Sequence, residues 1–312
     1  MNHSLPAKPI RRWWTERKRT ALTAYLFISP FFILFAIFGL FPIAFTFYLS
    51  FFRWNALSPM RFVGWENYMF IFEDKTFWTS VLNTFLMGAM GTVPQLIVAL
   101  LLAVTLNSAV IRFRRFFRTL YFMPTVTSIV AVTLVFSAIF GNNGMANGLL
   151  TELGFDPVPW NSGWWGIKIA IATMIMWRWT GYNTIILLAG LQSIPPELYE
   201  AAKIDGAGKG ALLFKITLPL LQPFILFVIL MSTIGSLQLF TEPFVFTGRE
   251  GTGGARVEAI TMVIYLYREA FYNTFFGTAA ATAVFLFFLT ILISVMNVWI
   301  ANKLNSDGGA WR

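Results

Sequence analysis

Six long apolar runs, near 22–50, 81–106, 120–140, 167–191, 218–240 and 279–302, decide which solvent this chain folds in. Each can cross a bilayer core, which takes about 20 apolar residues as a helix. Within lipid the backbone must satisfy its own hydrogen bonds, so only helices and closed barrels span. A barrel strand alternates apolar and polar residues, and these runs are continuous. With 57% hydrophobic and only 12% charged residues, a soluble fold would expose large apolar patches. The expected fold class is therefore all-α, a polytopic membrane protein with six transmembrane helices. The first run contains Pro30 and Pro42, is too long for a signal peptide and lacks a small-residue cleavage site before Phe51. It reads as a retained span.

Lysine and arginine set the orientation. The amino-terminal tail, the loop containing Arg112, Arg114, Arg115 and Arg118, the loop containing Lys203, Lys209 and Lys215, and the carboxyl terminus together carry 15. The opposite side carries 6: Arg53, Arg61, Lys75, Arg249, Arg256 and Arg268. This places both termini in the cytoplasm. The expected organisation is a basic interfacial tail over 1–21, a transmembrane domain over 22–302 with a cytoplasmic loop at 193–217, and a short tail over 303–312. Trp13 and Trp14 among basic residues suit an interfacial anchor touching membrane lipid. Trp54, Trp65, Trp78, Trp160, Trp164 and Trp165 suit an aromatic belt on the other side. In the long outer loop, Glu258–Phe271 reads as a helix.

Several chemistries lack raw material. Cysteine is absent and the one histidine is His3, in the tail, so thiol chemistry and histidine catalysis are excluded and a metal site is not expected. The acids lie almost entirely in loops, which argues against an intramembrane enzyme. A net charge of +9 would suggest nucleic acid in a soluble chain, but these charges sit at membrane boundaries and suit lipid headgroups. An autonomous secondary transporter or channel is the alternative. It would place ionisable groups in the spans, whereas only Arg178 is clearly mid-span, and no internal repeat is visible.

The loop between the fourth and fifth runs carries the most specific pattern. Glu200-Ala201-Ala202 is followed by Asp205-Gly206 and then Ile216-Thr217-Leu218-Pro219. Ser193 through Glu197 reads as a helix start, since Ser can cap and Pro is tolerated in the first turn. Gly206 and Gly208 end the helix, because glycine adopts the left-handed conformation at little cost. Ala201 and Ala202 leave a low face that permits close approach. Lys209 to Pro219 reads as a second short helix, with Pro219 and Pro223 breaking or kinking the entry to the fifth run. Gly206-Ala207-Gly208-Lys209-Gly210 is no phosphate loop, since the first glycine is misplaced and neither Ser nor Thr follows the lysine.

The spacing of Glu-Ala-Ala, Gly and Ile-x-Leu-Pro resembles the signature loop of permease subunits of binding-protein-dependent ABC importers. Tyr25–Pro30, Phe62–Tyr68 and Arg118–Pro124 resemble the oligosaccharide and glycerol-phosphate type, similar to the first permease of maltose, lactose and trehalose systems. The likeness covers about residues 20–302. It implies a type I importer permease fold in a bacterial inner membrane. It implies four kinds of partner: a second permease, two ATPase subunits, an extracytoplasmic solute-binding protein, and a sugar or oligosaccharide. ATP and Mg would be bound by the ATPase, with no cofactor in this chain. Glu200, Ala201, Ala202, Asp205, Gly206, Ile216, Leu218 and Pro219 would couple to the ATPase through a helix docked in its cleft. The family's Thr-Gly-Gly-Gly-Pro is replaced here by Thr247-Gly248-Arg249-Glu250-Gly251.

Polar groups at membrane depth are costly unless they face a cavity or partner. Trp179, Tyr182 and Asn183 lie three and four apart on one helical face, and Ser232 and Ser236 stack four apart. An aromatic face beside hydrogen-bonding groups suits sugars, while helix packing is the plainer account. The resemblance places solute contacts at Trp177, Trp179, Thr180, Gly181, Tyr182, Asn183, Ser232, Ser236 and Gln238. Arg178 needs a partner: a backbone carbonyl, Glu242, or an anionic solute.

Overall fold

The computed structural model describes residues 10–107, 113–248 and 256–308. Residues 1–9 of the basic tail, the Arg249–Gly251 departure and the last residues of the carboxyl-terminal tail lie outside the described residues.

The chain is mostly helical. α1 (Ile10–Phe35), a π-helical turn (Ala36–Leu40) and α2 (Phe41–Leu49) form one rod. A hairpin pairs β1 (Phe52–Arg53) with β2 (Arg61–Phe62), with Phe52 opposite Phe62. Gly64 turns the chain at φ +60° into α3 (Glu66–Glu73). Asn67 Nδ2 there donates to the carbonyls of Ser50 and Phe52, tying α3 to the end of α2.

The long α4 (Lys75–Asn107) follows, then α5 (Arg114–Val126), α6 (Ile129–Ile139) and α7 (Met145–Glu152). α8 (Trp164–Gln192) leads to the short α9 (Pro196–Ile204). α10 (Lys209–Ala211), a second π turn (Leu212–Thr217) and α11 (Leu218–Leu237) then run on as one rod. α12 (Thr241–Thr247), α13 (Met262–Phe271) and α14 (Phe276–Gly308) complete the order.

Both π turns precede a proline, Pro42 and Pro219. A proline in a helix lacks an N–H and pushes on the carbonyl four residues back. The ladder answers by widening: Phe41 N–H reaches the carbonyl of Ala36, and Leu218 N–H that of Leu213. The Thr217 hydroxyl donates to the carbonyl of Leu212 at 3.0 Å. The break expected at Pro219 is therefore absorbed, and Lys209–Leu237 is continuous instead of a separate short helix and a span.

Among the described residues, four rods are long and apolar enough to cross a membrane: Lys18–Leu49, Lys75–Asn107, Lys209–Leu237 and Phe276–Lys303. The third expected span departs from a straight helix. Arg115–Val126 and Ile129–Ile139 meet at 95°, so they count as one broken span or as a re-entrant loop. Pro124 lies just before the bend, and Thr127 and Ser128 take extended ψ values of 144° and 126°. α8, the fourth expected span, is not among the four rods. It carries Lys168 and Arg178, and its buried residues leave one exposed stripe at Trp165, Ile169, Thr173 and Trp177.

α8 packs principally on α4, with α5 and α11 against other sides. Gly181 permits its contact with α5, since a side chain there would overlap the backbone of Tyr121. Two apolar clusters form the core. One joins Met87, Phe136, Ile171, Met174, Ile264 and Tyr265. The other joins Ala99, Ala103, Leu187, Leu191, Leu221 and Val228. Residues 92–95 of α4 and 177–183 of α8 fall in the gap between them. Beyond α12, the helix expected over 258–271 splits into a 3₁₀ turn, Val257–Ala259, and α13. Thr261 interrupts it by capping α13, accepting from Ile264 N–H and donating to the carbonyl of Leu239.

Candidate functional site

The gap between the clusters is a cavity of about 460 Å³. That volume lies within the roughly 300–1,000 Å³ usual for small-molecule sites. α8 contributes Ile175, Trp179, Tyr182 and Asn183, and α11 contributes Met231, Ser232 and Ser236. Gln238 and the turn into α12 close one side, and Thr92 and Gln95 of α4 form another.

Helical spacing put Trp179, Tyr182 and Asn183 on one face, and they meet in this cavity. Trp179 and Tyr182 pack edge to face with ring centres 5.8 Å apart. Asn183, almost wholly buried, donates from Nδ2 to Ser232 Oγ at 2.9 Å. The Ser236 hydroxyl donates to the carbonyl of Thr233 at 2.9 Å. Gly88 of α4 permits close packing there, since a Cβ would stand 3.1 Å from Ser236 Oγ. Six of the nine candidate solute residues, Trp179, Tyr182, Asn183, Ser232, Ser236 and Gln238, thus line one cavity.

The other three do not line it. Trp177 packs on Phe136 at 5.6 Å. Thr180 turns its hydroxyl to the carbonyl of Met176. Gly181 serves the α5–α8 contact. Arg178 Nη1 donates to the carbonyl of Thr127 at 3.1 Å, and Thr125 Oγ1 donates back to the Arg178 carbonyl at 3.2 Å. Of the three candidate partners for Arg178, the backbone carbonyl is the one bonded. The guanidinium thus holds the bend between α5 and α6.

Thr92, Gln95, Thr241 and Glu242 line the cavity without a sequence signal as a site. Thr92 and Gln95 sit in an apolar run, and Glu242 lies beyond the fifth run, where sequence offers it only as a partner for Arg178. Only the fold brings them together.

At the other end of α8 the chain exposes a second candidate surface. α9 begins at Pro196, with no side-chain cap. Ser193 does not cap it, because its hydroxyl donates to the carbonyl of Gly190 at the end of α8. The carboxyl end of α9 is closed by Gly206 at φ +81°. Gly206 N–H reaches the carbonyl of Lys203, and Ala207 N–H that of Ala202. This paired pattern is the Schellman cap, which needs the left-handed residue. α9 buries no residue, and Glu200, Ala201, Asp205 and Gly206 are exposed. Ile204 is 86% exposed, an apolar side chain with little over it among the described residues. The Tyr199 hydroxyl lies 3.1 Å from Thr217 Oγ1, tying α9 to the π turn below α11. Ile216, Leu218 and Pro219 belong to that turn and the start of α11 rather than to α9 itself. The loop is thereby linked to the rod that carries Ser232 and Ser236.

Residues 95–306 match the family of binding-protein-dependent transport system inner membrane components. The lactose transport system permease protein of Rhizobium radiobacter is 34% identical over 90% of this chain and 95% of its own length. The arabinooligosaccharides transport system permease protein of Bacillus subtilis is 33% identical over 98% and 97%. A bacterial ABC transporter involved in the import of the acidic polysaccharide alginate shares the fold. Its chain superposes with a TM-score of 0.79 at 23% identity, covering 94% of this chain and 99% of that one. The family match and the relatives, each spanning nearly their full length, lead to one conclusion: the chain belongs to the binding-protein-dependent transport system inner membrane components, the membrane permease subunits of ABC transporters.

Proposed function

We propose that this chain forms half of the translocation pathway of an ATP-driven sugar or oligosaccharide importer. The observation that carries the reading is the polar, aromatic cavity interrupting an otherwise apolar core between α4, α8 and α11. Aromatic faces suit the CH faces of a sugar, and amide and hydroxyl groups suit its hydroxyls. The names of the relatives point the same way, since they carry lactose and arabino-oligosaccharides. A second permease supplies the other half of the pathway, two ATPase subunits supply the work, and an extracytoplasmic binding protein delivers the solute.

Glu200, Ala201, Ala202, Asp205 and Gly206 form the docking surface for the ATPase. Ile216, Leu218 and Pro219 transmit its movement into α11. The α9 surface is exposed and apolar at Ile204, which leaves a contact for a partner to complete. The chain crosses six times, with α8 as the fourth span and the bent α5–α6 pair as the third. Both termini and α9 face the cytoplasm.

Purification of the tagged chain from its native host tests the assembly. A second permease with its own Glu-Ala-Ala loop and an ATPase should copurify. A stable chain that elutes alone would overturn the reading.

A further inference from the structure

We propose that a second cavity, at the rim of the bundle, holds one phospholipid headgroup that carries a phosphate beside a primary ammonium, as in phosphatidylethanolamine. The site is separate from the central cavity and independent of the solute carried.

The cavity has a volume of about 390 Å³ and lies where two membrane rods end. The first rod stops at Leu49 and the last starts at Phe276. Arg53 and Trp54, just beyond α2, line it with Glu66 and Phe70 of α3 and Gly277 of α14. Span ends meet the headgroup region of a bilayer. The helix α3 suits that level. Trp65 at its start, Met69 and Phe72 follow one another at four and three residues, and all are exposed. A helix with such an apolar face and charged neighbours lies in the membrane interface.

The frame around the cavity is fixed. Asn67 of α3 is buried and donates to the carbonyls of Ser50 and Phe52. Phe276 N–H reaches the carbonyl of Trp54 at 3.1 Å. Gly277 lets α14 close on β1, since a Cβ there would overlap the Phe52 carbonyl. The backbone of Arg53 is therefore held on both sides.

From this frame Arg53 Nη2 donates to Glu66 Oε2 at 2.7 Å. Both side chains are more than half exposed, and an exposed pair of this kind is held weakly. It can open for a ligand that offers both charges. A guanidinium grips two phosphate oxygens through parallel N–H bonds, and a carboxylate accepts a charge-assisted bond from an ammonium. A zwitterionic headgroup thus replaces one weak pair by two stronger contacts. Phe70 and Phe275, each 49% exposed, offer apolar walls to the glycerol and the first acyl carbons. An anionic headgroup without the ammonium is repelled by Glu66. A trimethylammonium headgroup has no N–H to donate to it.

The test titrates the complex, purified in detergent with its second permease and ATPase, with dioleoyl lipids and reads binding by native mass spectrometry. Phosphatidylethanolamine should bind about tenfold tighter than phosphatidylcholine or phosphatidylglycerol, the scale of one hydrogen bond to a charged group. Glu66→Ala should remove the preference over phosphatidylcholine. Arg53→Gln should weaken phosphatidylethanolamine about tenfold, by the same arithmetic. Copurification with the ATPase and an unchanged melting temperature establish that both variants are folded. Equal retention of the three lipids, as annular binding gives, would overturn the site, and so would a preference left unchanged by either variant. Glycerophosphoethanolamine has the same headgroup and no acyl chains, and it should fail to displace the lipid at equal concentration. Displacement by it would assign the cavity to a soluble phosphodiester and overturn the lipid. A chain that purifies without partners takes the same titration alone, so the importer reading and the lipid site fail separately.

Discussion

Asn183 on α8 donates its side-chain amide to Ser232 on α11 across 2.9 Å, beside the central cavity. The bond joins the two helices that supply most of the polar lining. Any movement of α11 relative to α8 must either carry this pair together or break it. The same rod continues down to the π turn at Leu212–Thr217, where Tyr199 of α9 meets Thr217. A displacement of α9 therefore has a short, packed route to Ser232.

The pair should be energetically coupled. Asn183→Ala and Ser232→Ala should each lower the melting temperature in detergent, and the double variant should lose less than their sum. A coupling of about 0.6–1.7 kcal/mol is expected for a hydrogen bond between membrane helices. Additive losses would show that the contact does not hold α8 to α11.

Gly206→Pro should abolish solute-stimulated ATP hydrolysis while leaving insertion intact. It removes the N–H that caps Lys203 and fixes a negative φ where the chain needs +81°. Ala201→Trp should do the same by a different route, because Ala201 is exposed and a larger side chain there meets the partner, not this chain. Full stimulation in a correctly assembled Ala201→Trp complex would count against docking through α9.

Two glycines should respond in opposite directions. Gly181→Ala puts a methyl into the Tyr121 backbone and should destabilise the protein by about 1–3 kcal/mol or more. Gly148 lies within α7 with open space where its side chain would be, so Gly148→Ala should be neutral or stabilise by about 0.5–1 kcal/mol. Thermal melts of the two variants check both.

Stability should carry a pH dependence from Glu269 on α13. Its Oε1 accepts from Asn273 at 2.8 Å, while buried Oε2 has no partner. Burial, with help from nearby Asp74, raises its pKa above the ordinary 4.5. A carboxyl with a raised folded-state pKa stabilises fully below the unfolded value, and that contribution is lost as pH rises through the folded value. The melting temperature of the wild type relative to Glu269→Gln should therefore fall as pH is raised from 4.5. A constant difference across that range would show that Glu269 does not titrate with folding.

Period and chemistry were enough to place the four long rods, α9 and five of the lining residues, and the family resemblance added Gln238. Trp179, Tyr182 and Asn183 declare a shared face by spacing alone. Other features depend on contacts that no local pattern encodes. The bend after Pro124 is held by Arg178, 51 residues away from Thr127 in sequence. Pro219 reads as a break because the widening of Leu212–Thr217 is a backbone response with no residue signature of its own. Gln95 is a polar residue in an apolar run for which the sequence offers no role. It joins the cavity only because α8 and α11 pack beside it. α8 carries Arg178, Tyr182 and Asn183 in mid-helix, which is why hydropathy ranks it below the four long rods.

The most direct test of the coupling surface uses the absence of cysteine in this chain. Ala201→Cys introduces a unique, exposed thiol on α9. In membranes from the native host, a short bifunctional thiol–amine reagent should join it to the ATPase, with a yield that changes when nucleotide is added. A thiol that stays freely reactive towards a bulky maleimide in the assembled complex, with no cross-linked ATPase, would contradict the account.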